Sequence, residues 1–88
     1  MYSLRRERDG AGDSGNMSML FWVEDDRVLH ENNSKPRVGV VVRVGSVIAR
    51  TMQQQDYWTT TYVTEIIEES DNYVKFKTGN SIYEWRRI

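Results

Sequence analysis

Between Asn33 and Gln55 the chain carries four cations, Lys35, Arg37, Arg43 and Arg50, and no carboxylate; Asp56-Tyr57-Trp58-Thr59-Thr60-Thr61-Tyr62 follows directly. Guanidinium groups beside aromatic faces and hydroxyls are the parts that hold a nucleotide. The ring stacks on the base, worth roughly 1–3 kcal/mol, and the planar fork grips the phosphate. Arg43, Arg50, Trp58 and Thr60 are therefore the candidate ligand-binding residues. A plainer reading stands beside this one. Trp58 and Tyr62 fall on one strand face with Ile66 at period two, as core residues would, and strand arginines are commonly solvated. A second candidate is the pair Phe21-Trp22. Neighbours on a strand point to opposite faces, so one ring can enter the core while the other needs a cover. Aromatics are enriched at interface centres, which makes Phe21 and Trp22 a candidate self-interface or partner interface.

Catalytic chemistry is poorly supplied. His30 is the single imidazole and there are no cysteines. Thiol catalysis and thiolate zinc sites are excluded, and Asp25, Asp26 and His30 read as part of an exposed charged turn rather than a chelate. No serine sits in a strand-turn-helix nucleophile setting, and no glycine-rich phosphate loop opens a helix. Glu65, Glu68 and Glu69 lie near lysines, and charge pairing accounts for them more simply than acid-base work. The expectation is a binding protein, not an enzyme, with no catalytic residue, metal or cofactor.

At 88 residues the chain is one domain at most. Twelve Lys plus Arg against thirteen Asp plus Glu give a net charge of -1, unlike a protein that coats duplex phosphate. The lack of cysteines suits a reducing cytoplasm. No segment approaches the ~20 apolar residues that span a bilayer. Met1-Tyr2-Ser3-Leu4-Arg5-Arg6 is followed by no apolar run of signal-peptide length, so neither secretion by that route nor membrane insertion is expected.

The elements that must position these residues read as strands. Residues 1–16 are rich in charge, glycine and small polar groups, and are expected to form a disordered arm ahead of a single β domain over 17–88. Met19 to Val23, a charged turn and Val28-Leu29 read as strand, turn, strand. Pro36 marks a loop. Val38, Val40, Val42 and Val44 alternate with Gly39, Val41 and Arg43, a β pattern that continues from Ser46 to Met52, with Gly45 as a bend. Tyr57 to Glu68 reads as one long strand. A two-residue turn at Gly79-Asn80 pairs Phe76 with Tyr83 and Val74 with Trp85 on one face, and Lys75 with Glu84 on the other. A three-residue turn at 70–72 sets Ile66 against Phe76 and Glu65 against Lys77. It leaves Glu68 beside Val74, which a bulge would repair. The fold class is all-β, a small antiparallel meander or SH3-like open barrel. A domain this small with no disulfide gains from self-association, so a homo-oligomer is expected.

Trp58 and Thr60, the acidic turn Glu68 to Asp71, Val74, Phe76 and Thr78, then Asn80, Ser81 and Tyr83 form a pattern over residues 56–88. In it the chain resembles a loose group of small, mostly uncharacterised all-β proteins encoded by bacteriophages and prophages. The resemblance implies a product acting in the bacterial cytoplasm that blocks a host machine or traps a host signalling molecule. It carries over no catalytic residue. Three functions follow as expectations. The first is a phage-type inhibitor or sponge for a host protein or nucleotide signal. The second is a barrel binding single-stranded nucleic acid. The third is an assembly module adding a partner strand at the edge of Ser81 to Ile88.

Overall fold

The computed structural model describes residues 1–46 and 57–88. They form nine strands: β1 (Tyr2–Arg6), β2 (Gly12–Gly15), β3 (Met17–Glu24), β4 (Arg27–Asn32), β5 (Val41–Gly45), β6 (Tyr57–Tyr62), β7 (Glu65–Ser70), β8 (Tyr73–Lys77) and β9 (Ile82–Arg87). Two antiparallel sheets result, here sheet A in the order β2-β1-β9-β8-β7 and sheet B in the order β4-β3-β5-β6. The all-β open-barrel expectation holds.

The β7-β8-β9 meander has the predicted register. Phe76 faces Tyr83, Val74 faces Trp85, Lys75 faces Glu84, and Ile66 faces Phe76. The bulge falls between Ile66 and Glu68, which moves Glu68 off Val74 and onto Lys75. That extra residue shortens the turn to Asp71-Asn72, with Ser70 paired to Tyr73. The β3-β4 hairpin also forms, and Asp25 and Asp26 both take positive φ, as a two-residue turn matching strand twist requires.

Three expectations are corrected. Residues 1–16 are not a disordered arm. They fold into β1 and β2, and β1 pairs with β9, so the first and last strands are neighbours. Tyr2 and Leu4 explain why: at period two they enter the core, Leu4 fully buried and Tyr2 packed on Trp85. Gly15 lets this hairpin close on sheet B, because a Cβ there would collide with the Gly45 carbonyl. Second, Tyr57 to Glu68 is two strands in different sheets. The chain crosses over at Val63-Thr64, where Val63 bonds to Val40 of the sheet B side and Thr64 to Lys77 of sheet A. Third, Ser81 to Ile88 offers no free edge, since β9 lies between β1 and β8. The expected strand over Ser46 to Met52 lies, from residue 47 on, outside the described residues.

The core sits between the sheets: Leu4, Val74, Phe76, Tyr83 and Trp85 from sheet A meet Leu20, Val42 and Val44 from sheet B, with Val40 and Val63 at the crossings. Phe76 and Tyr83 stack at 5.5 Å. One buried polar contact ties the sheets, the Trp85 indole N–H donating to Ser18 Oγ at 2.9 Å.

Candidate functional site

Strand alternation decides which side chains of sheet B face outward. Leu20, Val42, Val44 and Thr60 are buried, so their neighbours Phe21, Val41, Arg43 and Thr59 are on the other face. The outer face has Met19, Phe21 and Val23 on β3, Val28 and His30 on β4, Val41 and Arg43 on β5, and Tyr57, Thr59 and Tyr62 on β6, the last through the bulge that pairs Val41 with Tyr62. Val23 is 60% exposed, Val28 69% and Tyr62 49%. A shallow hollow of about 370 Å³ lies among Phe21, Val23, Val28, Val41, Arg43 and Tyr62.

Arg43 is the centre of this face. Its guanidinium lies 4.7 Å from the Phe21 ring and 4.4 Å from the Tyr57 ring, and its Nε donates to Thr59 Oγ1 at 3.0 Å. Rings from β3 and β6 thus clasp a cation from β5, the strand between them. Among the described residues Arg43 forms no ion pair with a carboxylate. His30 packs against Phe21, ring centroids 6.3 Å apart.

The predicted ligand residues are not brought together. Arg43 faces out, while Trp58 pairs with buried Val44 and packs on the core. Trp58 donates its indole N–H to the Tyr83 hydroxyl at 3.3 Å, and Arg6 covers its ring at 5.2 Å. Thr60 is buried and structural. Its Oγ1 accepts from the Val42 amide at 3.1 Å, filling the ladder at the β5-β6 bulge, and donates to the Thr61 carbonyl at 2.7 Å. Arg50 lies outside the described residues. Phe21 and Trp22 do diverge as expected. Phe21 joins the outer face, whereas Trp22 packs against the core under Arg37, 4.9 Å away. Arg37 also bonds Glu31 at 2.6 Å and holds that carboxyl below its usual range.

Sequence reasoning missed Val23, Val28, Val41, Tyr57 and Tyr62 as parts of one surface. The available signal was parity with Phe21 across the β3-β4 hairpin, which places Val23, Val28 and His30 on its face. Asp25 and Asp26 sit at the hairpin tip, and an extended strand puts His30 about 13 Å from Asp26, too far to share an ion. Among the described residues no His, Asp and Glu groups converge to hold a metal, and no helix is long and apolar enough to cross a membrane. No protein-family model matches the chain, and no curated protein or solved structure matches it significantly.

Proposed function

We propose that this chain is a non-catalytic binding protein that captures a partner protein through the outer face of sheet B. A single observation carries the reading. Apolar and aromatic side chains line one open face around Arg43, where Val23 and Val28 are mostly in water and Tyr62 is half exposed. Exposed apolar surface of this kind, with an aromatic and arginine centre, is the composition of an interface. The resemblance of residues 56–88 to small phage proteins supports a host protein as the partner, with the inhibitor acting in the bacterial cytoplasm.

The nucleotide version has less support. Its arginine is already sandwiched between Phe21 and Tyr57, and its tryptophan faces the core. Single-stranded nucleic acid needs a track of cations along its backbone, and among the described strand positions of this face Arg43 and His30 are the only basic side chains.

The test is affinity capture from bacterial extract with the wild-type chain, with Phe21→Ala/Tyr62→Ala, and with Lys75→Ala on the opposite sheet. The expected result is a defined protein held by the wild type and by Lys75→Ala, and lost with the double variant. Retention of that protein by the double variant would overturn the reading. So would recovery of nucleotide or single-stranded nucleic acid in place of a protein.

A further inference from the structure

We infer that β4 pairs with β4 of a second copy of this chain, joining two copies of sheet B into one continuous eight-stranded sheet. The inference is independent of the partner reading, since it concerns the edge of sheet B rather than its face.

The four sheet edges are treated differently. β2 is only four residues long and packs against β5 and β6 of the other sheet, and a short edge strand offers little to pair with. β6 carries a bulge in its pairing with β5. β7 is bulged after Ile66, carries Glu65, Glu68 and Glu69, and is met by Lys35, which ion-pairs with Glu69 at 2.9 Å and reaches the Ser70 carbonyl. Bulges, charge and covering segments are how edges are kept from pairing. β4 has no bulge, and its two charges, Arg27 and Glu31, the latter also held by Arg37, are of opposite sign and so do not repel a second copy laid antiparallel. Its six residues pair with β3 without a register shift, it contains no proline, and it exposes Val28.

The backbone parity of β4 follows from its hairpin. Asn33 N–H bonds to the Ser18 carbonyl in the same register that pairs Glu24 with Arg27, so odd-numbered residues of β4 face β3. The N–H and C=O groups of Val28 and His30 therefore point away from the sheet, available for an added strand. A two-fold axis through Leu29 satisfies them reciprocally, Val28 with His30 of the second copy and His30 with its Val28. That register also sets Arg27 opposite Glu31 of the second copy, and Glu31 opposite its Arg27. These are two attractive cross-strand pairs on the inward side, with Leu29 meeting Leu29 between them. A sequence whose charges oppose in this way when paired with itself fits a second copy better than an arbitrary peptide. The join also brings Val23 and Val28 of each copy toward the shared centre of the outer face.

The chain has no native cysteine, so cross-linking can report the register. In a non-hydrogen-bonded antiparallel pair the Cα atoms are about 4.5 Å apart, at the short end of the roughly 4.4–6.8 Å a disulfide spans. Mild oxidation of Leu29→Cys is expected to give a covalent dimer, and Val28→Cys, which meets His30 rather than itself, is expected to give little. Sedimentation of the full wild-type chain over a dilution series should show a dimer. Val28→Pro removes an edge donor without touching the β3-β4 ladder and should leave only monomer. Arg27→Glu, an exposed change next to the turn, should weaken the dimer even if Val28→Pro fails to fold. A wild-type monomer throughout would overturn the inference. A dimer that survives both substitutions, or that cross-links no better through Leu29→Cys than through Val28→Cys, would overturn it equally.

Discussion

The two sheets use the same core and treat water in opposite ways. Across the outer face of sheet A, successive register partners run Arg5, Glu84, Lys75 and Glu68, an alternation of sign on four adjacent strands. Around that row Tyr73 donates to Glu84 at 3.1 Å, Arg86 reaches the same carboxylate at 2.6 Å, and Lys75 pairs with Glu7 at 3.1 Å. Burial, then the Glu84 carboxylate, push the Tyr73 hydroxyl above its usual range. Such a face is satisfied in water. The outer face of sheet B has Phe21, Val23, Val28, Val41, Tyr57 and Tyr62 around one clasped arginine, and its described strand positions include no carboxylate. Both inner faces are ordinary alternating strand patterns, so core formation does not require the difference. It resides in the residues whose burial the monomer leaves incomplete, and those are the residues that a partner would cover.

The two sheets share one core, so the sharpest test of their coupling removes what joins them. Trp85→Ala deletes the largest fully buried side chain, which packs on Tyr2 and bonds to Ser18. The expected loss is about 3–5 kcal/mol, read from urea unfolding. Circular dichroism and the fluorescence of Trp22 and Trp58 should give coincident transitions. Separate transitions would mean that the sheets fold apart. Ser18→Ala keeps the packing and orphans the indole donor, for a smaller loss of about 1–3 kcal/mol in the same assay.

Where turn length and two faces constrain one register, the sequence was legible. Gly79-Asn80, Phe76 opposite Tyr83 and Lys75 opposite Glu84 agree on a single pairing. The N-terminal hairpin was not legible, because the partner of β1 is β9, at the far end of the chain, and only Tyr2 and Leu4 mark its inner face. Val63-Thr64 carries no glycine or proline to announce the crossing. It is set by Val63 entering the core while Thr64 bonds to Lys77. The candidate pocket failed on parity. With Arg43 paired to Thr59, Trp58 must sit on the opposite face, and that register depends on a long β5-β6 connection that no local rule specifies. That one ring of Phe21-Trp22 needs a cover was recognisable, but which ring it is and what surrounds it on the outer face required the sheet order.

The contrast between the faces can be measured directly. Val23→Thr/Val28→Thr should change stability by no more than about 0.5 kcal/mol, since both side chains are exposed. It should clearly reduce binding of an apolar fluorescent dye. On sheet A, Lys75→Ala breaks a partly exposed pair, worth roughly 0–1 kcal/mol, and should leave dye binding unchanged. Equal dye response from both variants would erase the distinction drawn between the faces.

The smallest effect expected is confined to acid and to the β1-β2 turn. Arg6 grips Asp9 with two hydrogen bonds, at 3.0 and 2.7 Å, and the Ala11 amide donates to the same carboxylate at 3.0 Å. Chiefly through Arg6, then Ala11, these hold the Asp9 carboxyl at about 2, below its ordinary 3.8. The folded form therefore prefers the charged group. Its contribution is fully present above the ordinary value and disappears as pH falls through about 2. Amide shifts of Gly10 and Ala11 should titrate with that low midpoint, and Asp9→Asn should abolish the step. Because Arg6 also lies over Trp58, at the sheet B side of the core, the same midpoint should register in Trp58 emission. A midpoint at the ordinary carboxyl value would show that Arg6 does not hold Asp9 in solution.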